Sequence, residues 1–161
     1  MPIKQAVPQS AGPAFSPSRD ADFYGWLLKQ VRALRSSRNS QIDREGLSEE
    51  VEAMAASLKR ALVSHLEVLL AHLLEWAWEP RKRSGSWEAS IDNARDSVAD
   101  LLADSPSLKA YMEESLRRAY PRARRTAGAE MGLERKQWEA RLPASCPWEL
   151  ADVMNDRFLA G

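Results

Sequence analysis

Apolar residues recur along this chain at intervals of three and four and never in a sustained alternation, so the pattern predicts helices and no strands. Phe23, Trp26, Leu27, Val31 and Leu34 mark the inner face of a first helix, from a cap at Asp20 to about Ser36. Lys29, Arg32, Arg35 and Arg38 run beside that face. After the polar connector SSRNSQ, Asp43 is placed to cap a second and much longer element. Between Arg44 and Glu79 there is no proline and only one glycine, Gly46, which suits one helix or two nearly collinear ones. Val51, Met54, Leu58, Leu62, Leu69, Leu73 and Trp76 gather on one side of it at ~100° per residue. Pro80 ends it, because proline lacks a backbone donor and drives the residue before it out of the helical region.

A basic turn, RKRSGS, leads to a third helix capped by Ser86, with Trp87, Ile91, Ala94, Val98, Leu101 and Leu102 facing inward and Glu88, Asp92, Asp96 and Asp100 facing out. Ser105 followed by Pro106 reads as cap and first position of a fourth helix. In it Leu108, Met112, Leu116, Ala119 and Ala123 point inward, and Pro121 should kink it. Leu133 to Arg141 keep helical propensity with weak patterning. Leu142 and Pro143 break the chain, and Cys146 to Met154 suggest a short terminal helix folding back as a lid. Short connectors between long amphipathic helices predict an all-α, antiparallel up-and-down bundle of about four main helices with a short C-terminal helix. Residues 1–17, with four of the nine prolines, read as a flexible tail, and 18–161 as a single domain with an appendage at 143–161.

Composition narrows the function classes. The 23 basic and 23 acidic residues cancel, so no overall field draws the chain to nucleic acid or anionic membrane. No run of 18 apolar residues exists, and the N-terminus lacks the apolar core of a secretory signal. Cys146 is alone, which excludes an intrachain disulfide and suits a reducing compartment; a cytoplasmic location is expected.

Seven short motifs carry a family resemblance: DADFYGWLL at Asp20, EGLSEEVEAM at Glu45, LLAHLLEW at Leu69, RSGSWEASI at Arg83, DSPSL at Asp104, AEMGL at Ala129 and CPWEL at Cys146. In this order they resemble the successive signatures of the prokaryotic family called domain of unknown function 29, from about residue 20 to residue 160. The resemblance implies an all-α bacterial domain and no known activity. By family pattern His72, Trp76, Arg83, Ser86, Trp87 and Cys146 match characteristic positions. Gly46, Ala55 and Glu75 depart from it, standing where the family has Asn, Gly and a basic residue. The last departure weakens any anion-binding role carried over from relatives.

Candidate chemistry concentrates in Ser64 to Trp87, which holds both histidines and three of the six tryptophans. His65 and His72 lie seven residues apart, about 10.5 Å along a helix, too far to share an ion. No Glu-x-x-His pair accompanies either, so neither metal nor cofactor is expected. Cys146 before Pro147 and Trp148 fits a helix start better than a nucleophile. Glu49 and Glu52, an E-x-x-E, face away from the apolar stripe and read as a solvated surface. Arg117, Arg118, Arg122, Arg124 and Arg125 crowd the fourth helix, and pairing with the acidic side of the third explains them best. What remains is a polar pocket at the helix-turn-helix corner, built from His72, Trp76, Arg83 and Trp87 with Arg95 at the rim, suited to a small anion or a peptide. The expected function is a small non-enzymatic interaction or regulatory protein that contacts a protein partner or a second copy of itself, with no membrane contact. Two alternatives stand beside it. One is nucleic-acid binding through the arginines of the 81–83 turn and the fourth helix, and the other is an enzyme built on His72.

Overall fold

The structure, a computed structural model, describes residues 19–36 and 39–159. The N-terminal tail expected at 1–17, and Arg38 with part of the connector around it, lie outside the described residues. The fold is an all-α helical bundle, and among the described residues there is no strand. Six α-helices follow one another: α1 (Phe23–Arg35), α2 (Arg44–Trp78), α3 (Gly85–Asp104), α4 (Met112–Glu130), α5 (Arg135–Arg141) and α6 (Leu150–Val153). The chain divides into two compact units, Met1–Glu52 and Ala53–Gly161, with the boundary inside α2.

In the first unit one carboxylate organises the local structure. Asp43 Oδ1 accepts from Gly46 N at 2.9 Å, capping α2, while Oδ2 accepts from the Trp26 indole at 3.2 Å and its own backbone N–H donates to Gln30 Oε1 at 2.8 Å. Trp26, Gln30 and Ala33, at i, i+4 and i+7, are therefore the buried face of α1. This corrects the inner face expected from apolar spacing. Phe23, Val31 and Leu34 are exposed, and Leu27 is half-buried. The reason is polar: a buried indole N–H and a buried amide must be satisfied, and Asp43 satisfies both on one side of the helix. Gly46 makes this approach tight, since a Cβ there would stand 2.9 Å from the Trp26 ring. Asp22, not Asp20, caps α1, accepting from Gly25 N at 2.9 Å.

The second unit holds the apolar core. Leu62, Leu66, Leu69, Leu70, Leu73 and Leu74 of α2 are fully buried against Ile91 and Val98 of α3 and Leu116, Ala119 and Ala123 of α4. The helix is enclosed on several sides here, so Leu66, Leu70 and Leu74 join residues that a single stripe predicted. Toward the N-terminus of the same helix Val51, Met54 and Leu58 are exposed, against expectation. Ser84 takes the capping role predicted for Ser86, accepting from Trp87 N. Pro106 opens a tight 3-10 stretch to Tyr111 instead of α4 itself, and α4 continues through Pro121. It closes on Gly132, whose φ of 72° only glycine adopts freely; Gly132 N donates to Ala129 O and Leu133 N to Gly128 O, both at 2.9 Å.

Arginines hold the C-terminal segment by its backbone. Arg124 donates to the carbonyls of Glu139 and Leu142, at 2.7 and 2.8 Å, while its guanidinium lies over the Trp138 ring. Arg95 donates to Val153 O at 3.0 Å and to Phe158 O, and Arg141 reaches back to Trp78 O. The Tyr120 hydroxyl, its pKa pushed up to about 12 by burial, donates to Pro143 O at 2.7 Å. Among the described residues no ion pair joins the α4 arginines to α3; Arg118 pairs with Glu114 on its own helix, at 3.6 Å.

Candidate functional site

Helical spacing puts His72 and Glu75, at i and i+3, on one face of α2 near its C-terminal end, and Glu79 follows just beyond the last residue of the helix. The turn after Pro80 brings α3 back, so Trp87 and Ser90 face them, and the Gly132 closure of α4 sets Glu130 and Met131 opposite. Together with Lys82 these residues line a cavity of about 180 Å³. His72 Nδ1 lies 3.2 Å from Glu75 Oε2. Glu75 is 4% exposed, and its second oxygen, Oε1, is buried without a hydrogen-bond donor. Glu79 is accompanied by Arg141 Nη1 at 2.9 Å and Lys82 Nζ at 3.7 Å.

The electrostatics of the corner follow from Glu75. Its hydrogen bond is the largest influence on His72 and holds the imidazole above its usual pKa, against partial desolvation and aided by the charges of Glu75 and Glu130. Glu130 is also raised, first by desolvation of its carboxyl and then by the negative charge of Glu75. Both groups therefore bind protons more tightly in the folded state.

Of the residues singled out by sequence, His72 and Trp87 share this cavity. Trp76 and Arg83 meet each other instead: the Arg83 guanidinium lies 5.2 Å from the centre of the Trp76 ring, and its Nε donates to Trp76 O at 2.8 Å. Arg95 is buried among the C-terminal carbonyls of Val153 and Phe158, not at the rim of the cavity. The anion expected there meets an acidic lining, for Glu75, Glu79 and Glu130 are all present. The sequence does carry a signal for two of them, the His72, Glu75, Glu79 spacing. Glu130 has none, because only the folded chain brings the end of α4 to α2.

Other candidates resolve more simply. Burial pushes the Cys146 thiol pKa up, and Sγ donates to Trp148 O at 3.4 Å. Glu49 and Glu50 pair with Arg19. Among the described residues no three His, Cys, Asp or Glu side chains are grouped to hold a metal ion, and no helix is long and apolar enough to cross a membrane. A second cavity, of about 510 Å³, is lined by Lys59, Arg60, Ser64, Arg118 and Arg122 with no carboxylate.

The chain is thus a helical-bundle protein with a small acidic corner. Residues 19–159 match the family described as Domain of unknown function DUF29, and the chain belongs to that family. No match was found among curated proteins or among solved structures.

Proposed function

We propose that the protein is a helical interaction or regulatory module that engages a protein partner or a second copy of itself. The observation that carries this reading is the distribution of exposed apolar side chains. Eight of the ten large hydrophobic residues exposed among the described residues lie between 23 and 58, including Tyr24 at 72%, Val51 at 63% and Met54 at 68%. Apolar surface left in water in such concentration is characteristic of docking sites in soluble proteins. Light scattering of the purified full chain across a range of concentrations tests it directly. Self-association that Leu34→Asp and Val51→Asp each weaken is the expected result. A strict monomer that also captures nothing from its own lysate removes the support.

A second reading, binding of a nucleic-acid backbone, is favoured by the basic cavity of Lys59, Arg60, Arg118 and Arg122. It predicts an affinity that falls steeply with salt and drops on Arg118→Ala or Arg122→Ala. Absence of any mobility shift at low salt disposes of it.

A further inference from the structure

The cavity at the end of α2 has an unbalanced charge at its centre. Glu79 is already compensated by Arg141 and Lys82. α3 contributes only the uncharged Trp87 and Ser90, and the end of α4 contributes Glu130 and Met131. His72, Glu75 and Glu130 are left to settle their charge among themselves. The imidazole engages Oε2 of Glu75. Oε1 has no donor, and the charged residue that the end of α4 adds to the same cavity is a second carboxylate, Glu130.

A buried carboxylate oxygen without a donor is costly, and a second carboxylate lines the same cavity, so the partner missing there is a compact cation that brings donors of its own. A bare metal ion does not meet the requirement, since the acidic side chains are not grouped as a ligand set. At about 30 Å³ per water-sized group, the cavity has room for roughly six such groups, and it offers an aromatic wall in Trp87 beside the carboxyls. A planar guanidinium satisfies all of this: it presents a fork of N–H donors to carboxylate oxygens and stacks on aromatic faces.

We propose that the cavity formed by His72, Glu75, Trp87 and Glu130 binds a small guanidinium-bearing molecule between the two carboxylates. Affinity rises with pH, because the ligand competes with a proton on Glu130 and is repelled by a protonated His72. Lys82 and Arg141 remain with Glu79.

Titration of the full chain with millimolar methylguanidinium chloride tests this, by calorimetry at two pH values and by the imidazole NMR signal of His72, assigned by its loss in His72→Gln. The expected result is saturable binding that shifts the His72 signal and tightens as pH rises. Glu75→Gln weakens it by about tenfold or more. Glu130→Gln, at an exposed position, weakens it as well. Tetramethylammonium, with the same charge and no N–H, does not bind. The proposal is overturned if the His72 signal does not saturate, if tetramethylammonium binds equally, or if Glu75→Gln and Glu130→Gln bind as tightly as the wild type.

Discussion

The two halves of α2 carry one continuous apolar pattern and meet opposite fates. From Leu62 to Leu74 six leucines are fully buried, whereas every position from 51 to 60 is exposed, Val51, Met54 and Leu58 included. Periodicity alone treats these stretches as equivalent. What separates them is the partner: α3 and α4 supply apolar side chains to the second stretch, while the described residues leave the first uncovered. A helical stripe is thus a statement about what a helix can bury, and the neighbouring elements decide how much of it is used.

Truncation of matched residues distinguishes the two halves of the helix. Leu70→Ala opens a cavity in a closed core and is expected to cost about 2–5 kcal/mol, while Met54→Ala, at an exposed position, changes stability by less than about 0.5 kcal/mol. Urea denaturation of both variants measures the contrast, and similar losses would mean that the first half of α2 is covered in solution.

A second probe acts on packing density in the unit that holds the core. Gly128 is buried, and a Cβ at that position would stand 2.6 Å from the Cβ of Trp138. Gly128→Ala is expected to lower stability by about 1–3 kcal/mol, since α5 has to shift; thermal melting reads the loss.

The unit with the thinner core depends on polar contacts, and Asp43→Ala removes a helix cap together with the acceptor of the Trp26 indole. A loss of about 1–2 kcal/mol is expected. Hydrogen exchange at the Trp26 indole should accelerate while the amides of Leu69 to Leu74 keep their protection. Equal acceleration at both places would show that the two units open together.

The smallest effect concerns pH. His72 and Glu130 both have raised pKa values, from ordinary values of 6.5 and 4.5, so the folded state holds protons that the unfolded chain gives up. Stability from these groups is present below those ordinary values and is lost as pH rises through the raised ones. Glu130→Gln keeps a neutral donor, so its melting temperature should gain on the wild type as pH rises from about 4.5. Parallel curves for the two proteins would contradict the carboxyl pair.

Much of the fold is legible in the sequence for local reasons. Pro80, Asp43, Ser105 with Pro106, and Leu142 with Pro143 all punctuate the chain where helices begin or end, because capping and proline geometry act within a few residues. The facing of α1 is not legible, since Trp26 turns inward to the carboxylate of Asp43 and Gln30 to its backbone N–H, both beyond the connector. The site is half legible. His72 and Trp87 flank a short turn and their meeting follows from it, but Glu75 reads as a polar interruption of a leucine run, and Glu130 reaches it only through the tertiary packing of α4. Arg95 escapes a local reading for a related reason: a long side chain on an inner face can serve a distant backbone as readily as a nearby pocket.

That service has a consequence for the C-terminal segment. Arg95 and Arg124 are gripped at one end by the helices that carry them, and across the gap to that segment they recognise main-chain carbonyls, at Val153, Phe158, Glu139 and Leu142. Recognition of that kind is blind to side-chain identity. The receiving positions are free to vary in sequence without loosening the latch, whereas Arg95, which reaches two carbonyls from two different nitrogens, is not replaced by lysine, which lacks those forked donors.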